Sequence, residues 1–194
     1  RNNTTLNNKT DDAGMKAFYA LLSQAEGVDS ISQFNHPGTT FGNFSDFSYW
    51  DPVIDSRMYM VEVGNGEGQI GAGGYYPSYE QYIMALDKGW HLAPTNNQDN
   101  HKGRWGNAND ARDVILTDNF TEKGIYEAIR ALRMYATEDK NLELGYTVNG
   151  QMMGSSITEV PDKLNLEVTV NDPDKSDSIS KVEVVVNSGK VVHT

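Results

Sequence analysis

Apolar residues recur along this chain in two rhythms, and the rhythm changes once. In the first part Met15, Phe18, Tyr19 and Leu22 return at helical intervals. Thr10 can cap that helix, Asp11 and Asp12 suit its first turn, and Gly27 stops it. The same spacing returns in Tyr79, Tyr82, Ile83 and Leu86, opened by the capping box Ser78-x-x-Gln81 and stopped by Gly89. It returns again in Ile125, Ala128, Ile129 and Leu132 behind Thr121. Short apolar runs between these helices predict strands. Ser30 to Phe34 ends at His36-Pro37-Gly38, where Pro37 removes a ladder donor and Gly38 permits the turn. Arg57 to Val63 is almost continuously apolar, as expected of a strand covered on both faces. Trp90 to Leu92 and Asp113 to Leu116 complete the set. Helices alternating with short apolar strands argue for parallel βα units, whose chemistry collects on loops at the carboxyl ends of strands.

From Met134 the pattern becomes that of antiparallel strands. Met134 to Thr137, Leu142 to Val148 and Gln151 to Ile157 are short, with an Asn149-Gly150 hairpin signal between the last two. Leu164 to Val170 and Ile179 to Val186 alternate as half-buried strands do. The pattern predicts a first domain over residues 1–157 and the start of an Ig-like β-sandwich over 158–194. Four irregular stretches stand outside the periodic ones. Residues 1–10 are an Asn/Thr-rich loop, and Thr39 to Asp55 is a long aromatic loop of the kind that serves as a lid. The run GNGEGQIGAGG lacks the Walker spacing and its lysine, and reads as a flexible loop. Asn171 to Asp177 lacks the glycine and terminal glutamate of a helix-loop-helix calcium site and reads as a solvated turn.

Composition narrows the chemistry. The 194 residues, 38% of them hydrophobic, can fill one ordinary core plus a small one. A net charge of −11, from 27 acidic against 16 basic residues, argues against nucleic acid or an anionic membrane as a partner. With no cysteine, thiolate metal sites, thiol nucleophiles and disulfides are excluded. No apolar run approaches membrane-spanning length, and the first residues lack the regions of a signal peptide. The chain begins with Arg1, which fits a processed or trimmed piece of something longer.

Two stretches carry candidate chemistry. Asp99 and His101 stand two apart in APTNNQDNHKGRWGNANDAR, with Lys102 and Arg104 behind them. A carboxylate and an imidazole at that spacing can reach one metal, or can simply bond the backbone of a polar turn. His36, in FNHPG, also follows an apolar run. His36, Glu62 and the Asp99/His101 pair all fall at predicted strand ends, which argues for one shared pocket. Tyr75, Tyr76 and Tyr79 read as packing residues, with a sugar platform as the alternative.

FNHPG, VEVGNG, APTNNQDNHKGRWG, RMYATED and GYTVNGQMMGS together resemble the carboxyl-terminal half of a PHP (polymerase and histidinol phosphatase) domain, over about Asp11 to Ile157. That resemblance implies an α/β fold, the C-terminal part of a distorted (β/α)₇ barrel holding divalent zinc, manganese or iron. It implies His36, Asp99 and His101 as metal ligands and a small phosphorylated or ester substrate. Glu62 matches a strand-end glutamate that is not a ligand, and His91 matches no metal position and reads as structural. Lys102 and Arg104 are candidates for a substrate phosphate, or are surface residues. The early His-x-His pair of that family is missing, since only four histidines occur and none stand so. About four βα-type strands also cannot close a barrel that takes roughly 250 residues in its eight-stranded form. The rest of the site is therefore expected on a missing N-terminal half of the same precursor.

The expected function is part of a metal-dependent hydrolase, a phosphoesterase whose multinuclear divalent metal site activates water, in an exported or surface-located bacterial protein. The alternatives are a non-catalytic module that grips a glycan or peptide with the Phe41 to Trp50 loop, and a structural spacer whose Asp-rich turn binds calcium.

Overall fold

The computed structural model describes residues 12–24, 29–159 and 161–194. The expected cap residues Thr10 and Asp11, the opening loop and the stop at Gly27 lie outside them. Helix α1 (Asp12–Leu22) carries the expected stripe, with Met15 and Leu22 buried. It packs on a core of Phe34, Phe47, Ile54, Met58, Val61, Ala85, Trp90 and Leu92. Trp90 anchors this cluster. Its ring meets Phe34 edge-on at 5.1 Å between centroids, and its Nε1–H donates to the Phe47 carbonyl at 2.9 Å. Each large apolar side chain buried in this way contributes about 1.5–3 kcal/mol.

Phe47 belongs to the aromatic loop that reads as a lid. Instead a short 3₁₀ turn, Phe44–Phe47, inserts Phe47 completely into the core. The loop then ends in α2 (Pro52–Asp55), one turn started by Asp51, whose carboxylate accepts from the backbone N–H of Val53 and Ile54 with Pro52 in the first turn.

Strands β1 (Ser32–Phe34) and β2 (Met58–Asn65) run parallel. Strand β3 (Tyr76–Pro77) pairs antiparallel with Gly64 and Asn65 at the end of β2. After α3 (Tyr79–Asp87), strand β4 (Ala93–Asn97) returns parallel on the other side of β2. The central place of β2 explains its near-continuous apolar sequence. Strand β4 is less obvious, since it is built from APTNN and buries Thr95 and Asn96. The glycine-rich run between β2 and β3 folds back on itself, Gly68 N–H donating to the Gly74 carbonyl at 3.0 Å. Gly66 has φ +117° there, and a Cβ would stand 2.2 Å from the Gly74 oxygen, so only glycine fits.

From here the structure departs from the expected C-terminal part of a (β/α)₇ barrel. Strand β5 (Arg112–Ile115), α4 (Glu122–Arg130) and β6 (Met134–Thr137) follow, but β5 and β6 pair antiparallel, Arg112 opposite Thr137 and Ile115 opposite Met134. A barrel needs every strand to continue one parallel, staggered ladder. Among the described residues that ladder stops at three strands, and no closed barrel forms. The remaining strands go to small antiparallel sheets.

The expected sandwich segment also takes another form. Strand β7 (Glu143–Val148) turns at Asn149 and Gly150, both at positive φ, into β8 (Gln151–Met152). Strand β9 (Leu166–Asn171) pairs with β7 along its whole length, from Glu143 opposite Asn171 to Val148 opposite Leu166. A separate hairpin, β10 (Val184–Val186) and β11 (Lys190–His193), completes the chain. Its turn rests on α3, Ser188 N–H donating to Asp87 Oδ1 at 3.0 Å. Most side chains of β9 to β11 are exposed, so among the described residues no second core gathers there.

Candidate functional site

Three neighbouring parallel strands end on one edge, and polar side chains are buried in them where a core strand would carry aliphatics. Glu62, Asn65, Thr95 and Asn96 are all under 4% exposed. Such groups persist only when each finds a partner. Glu62 is the centre of the arrangement. Its Oε1 accepts from Asn97 Nδ2 at 2.6 Å, and Asn65 Nδ2 lies 3.1 and 3.2 Å from its two oxygens. The backbone N–H of His36 donates to Oε2. One carboxylate thus ties the exit of β1 to the exit of β4. Burial pushes the Glu62 carboxyl above the usual carboxylate range, and the donors from Asn97, His36 and Asn65 offset that in part.

Deeper along β4 a second group closes the layer. Asn96 Nδ2 donates to the Tyr75 hydroxyl at 2.9 Å, and that hydroxyl donates to Glu138 Oε1 at 2.8 Å. The Asn96 backbone N–H donates to Asp113 Oδ1 at 2.5 Å, and its amide reaches the Thr137 carbonyl at 3.2 Å. One asparagine therefore joins the parallel strands to the β5–β6 pair. Burial raises the pKa of both Tyr75 and Asp113.

The expected ligands occupy the turns beyond these strands. His36 sits at φ +38°, a left-handed conformation uncommon outside glycine, with its ring 4.4 Å from that of Phe41. Its Nδ1 is buried and has no hydrogen-bond partner. His36, Pro37, Phe41, Tyr76 and Gln81 line a cavity of about 170 Å³. Asp99 is also left-handed, at φ +45°, and its carboxylate lies 3.9 Å from His101 Nδ1. That nitrogen is 2.7 Å from the Asp99 carbonyl, an arrangement in which Nδ1–H donates to the backbone and Nε2 is left for a ligand.

The structure brings Asp99 and His101 together but does not gather His36 with them into one cluster of ligand atoms. Among the described residues the one such group of three is Asp139, Asp172 and Asp177, whose oxygens lie within 4.8 Å of one another. Two of these belong to the turn that reads as solvated, and exposed carboxylates often meet without an ion.

Lys102 and Arg104 already have an anion. Glu67, from the glycine-rich loop, pairs with Lys102 Nζ at 3.0 Å and Arg104 Nη2 at 3.1 Å, and Asn100 Nδ2 reaches it at 3.1 Å. The hydrogen bond from Lys102, then that from Arg104, holds the Glu67 carboxyl below its usual range. Asn109 also binds this loop, donating to the carbonyls of Gly66 at 3.0 Å and Gly68 at 2.7 Å. His91 lies at the opposite end of the sheet, against Asp55.

Sequence reasoning missed Asn65, Asn97, Tyr75 and Glu67. The available signal was polar residues, Asn96-Asn97 and Glu62-x-x-Asn65, inside stretches that must be strands for the helices around them to pack. No helix among the described residues is long and apolar enough to cross a membrane. No family model, curated protein or solved structure matches the chain.

Proposed function

We propose that this chain forms part of a metal-dependent hydrolase whose site lies beyond the carboxyl ends of β1, β2 and β4 and acts on a small phosphorylated or ester substrate. His36, and separately Asp99 with His101, are ligands of a multinuclear divalent site of zinc, manganese or iron, and further ligands come from an N-terminal segment of the same precursor. The observation that carries this reading is the buried Glu62 carboxylate, which holds the His36 turn and the β4 exit on one edge of a parallel sheet, where α/β proteins bind ligands. The donor set fits a divalent ion, because His36 Nδ1 is buried without a partner and His101 has one ring nitrogen engaged by a backbone carbonyl. The PHP-like motifs support the same ligands. When bound, such an ion lowers the pKa of a coordinated water and polarises the phosphoryl or carbonyl oxygen. Glu62 positions the His36 turn. Lys102 and Arg104 supply cations for a substrate anion, with Glu67 as the intramolecular anion it must displace.

Calorimetric titration with zinc and with manganese tests the assignment. His36→Ala, Asp99→Ala and His101→Ala each weaken binding about tenfold or more, while Asp172→Ala leaves it unchanged. Ligand variants that bind as the parent does sink the proposal. A second reading is favoured by the exposure of Trp105, Tyr79, Phe41, Tyr76 and Trp50. Those rings suit a non-catalytic glycan- or peptide-binding module, in which Trp105→Ala abolishes ligand capture and His36→Ala does not.

A further inference from the structure

The end of the parallel sheet away from the candidate metal centre opens into a second cavity, of about 310 Å³, whose lining includes Asp55, Tyr59, His91, Arg130, Leu132 and Ser156. His91 stands just ahead of β4, and Asp55 closes α2 ahead of β2, so the cavity is framed by the amino ends of these strands. That volume falls at the lower end of small-molecule sites.

Asp55 has both oxygens committed to one residue. Oδ1 accepts the His91 backbone N–H at 2.8 Å, and Oδ2 lies 2.7 Å from His91 Nδ1. The ring is thereby oriented, and Nε2 is its remaining hydrogen-bonding atom. Arg130 is the cation of this lining. Its one side-chain hydrogen bond runs from Nη2 to the Asp29 carbonyl at 2.8 Å, and among the described residues no carboxylate pairs with it. A guanidinium with no carboxylate partner among the described residues is notable in a chain with a net charge of −11. Among the described residues most of its five N–H donors have no partner, and the guanidinium fork matches carboxylate and phosphate oxygens. Tyr59 and Ser156 add hydroxyls to the lining, and Leu132 adds an apolar wall.

We propose that this cavity binds a small organic oxyanion, a carboxylate or a phosphate monoester, held by the Arg130 guanidinium beside a His91 ring that Asp55 fixes in place. The inference uses none of the residues of the proposed metal site and stands or falls without it. A purely structural His91–Asp55 pair, pinning α2 to the start of β4, would have no need of Arg130.

The test is an NMR titration of the whole chain with inorganic phosphate and, separately, with acetate. The protein has four histidines, and His91→Gln identifies the His91 ring signal by its loss. One of the two probes is expected to shift that signal saturably while the signals of His36 and His101 stay in place, and the tighter of the two names the oxyanion. Arg130→Gln weakens the apparent Kd at least about tenfold, whereas Arg133→Gln, an exposed cation outside the lining, leaves it unchanged. Both arginines are exposed, and unchanged His36 and His101 signals in the variants verify the fold. The proposal is overturned if neither probe gives a saturable shift in the millimolar range, or if Arg130→Gln binds as tightly as the parent.

Discussion

Truncating Glu62 to alanine removes the acceptor shared by one buried donor, Asn65 Nδ2, and two half-buried ones, Asn97 Nδ2 and the His36 N–H. Asn65 Nδ2 and the His36 backbone N–H are left without a partner, while Asn97 Nδ2 retains Thr95 Oγ1 at 3.3 Å. Each orphaned buried donor costs about 1–3 kcal/mol, and the lost burial of a charged group returns part of that. The net expectation is about 3 kcal/mol of destabilisation. For a chain of this size each kcal/mol lowers Tm by about 2–4 °C, which predicts a fall of about 6–12 °C. Urea unfolding should show a lower midpoint with an unchanged slope, because the surface exposed on unfolding does not change. Glu62→Gln separates shape from charge. It keeps one acceptor oxygen and removes the buried charge, but turns an amide NH₂ toward a donor, so about 1 kcal/mol or less is expected. The ordering alanine worse than glutamine is the test. An alanine variant within about 1 °C of the parent would mean that these donors find water, and the strut between the two turns would have to be abandoned.

Three further outcomes follow from the same packing. Burial raises the Asp113 carboxyl, so its contribution to stability is fully present below its unfolded pKa and is lost as pH rises through the raised folded value. Asp113→Asn should therefore gain on the parent as pH rises from 3 to 7, read from Tm against pH; a parallel pair of curves would show that the carboxylate is solvated. Trp90 is the one buried tryptophan of three, against 44% exposure for Trp50 and 82% for Trp105. Trp90→Ala should cost about 3–5 kcal/mol and red-shift the emission maximum, and an unchanged spectrum would contradict the core assignment. Gly66→Ala meets a backbone oxygen and a left-handed φ, and should lower Tm by several degrees; a neutral result would mean that the glycine-rich loop reopens at little cost.

Much of the local structure was legible in the residues themselves. Helices α3 and α4 lie where the period puts them. Thr121 Oγ1 accepts the Gly124 N–H as a cap should, but the expected capping box at Ser78 does not form: Ser78 Oγ donates to the Glu62 carbonyl at 2.8 Å instead. The continuous apolar run of β2 announced a strand covered on both faces, and Asn149-Gly150 announced its hairpin. These features depend on side chains a few residues apart, so the one-dimensional pattern contains them. Strand β4 was not legible, because APTNN has neither apolar alternation nor strong β propensity. It is a strand because β2 offers it a ladder and Glu62, Tyr75 and Asp113 satisfy its amides. The insertion of Phe47 into the core was hidden for a similar reason, since an irregular loop has no period that marks an inward residue.

Strand direction was the largest thing the chain order could not state. An apolar run after a helix reads as the next parallel strand, yet β5 gains its partner only from β6, beyond α4, and the pairing is antiparallel. That choice rests on Asn96 bridging to both Asp113 and Thr137, contacts 17 and 41 residues apart. The sequence by itself determined where α3 and α4 lie, that β2 is an apolar strand, and which residues have the chemistry of a metal ligand. Only the tertiary structure decided that the parallel ladder ends after three strands, that Glu67 holds Lys102 and Arg104, and that Glu62 joins two turns. Those outcomes follow from buried polar groups finding partners far along the chain, and periodicity has no term for such pairing.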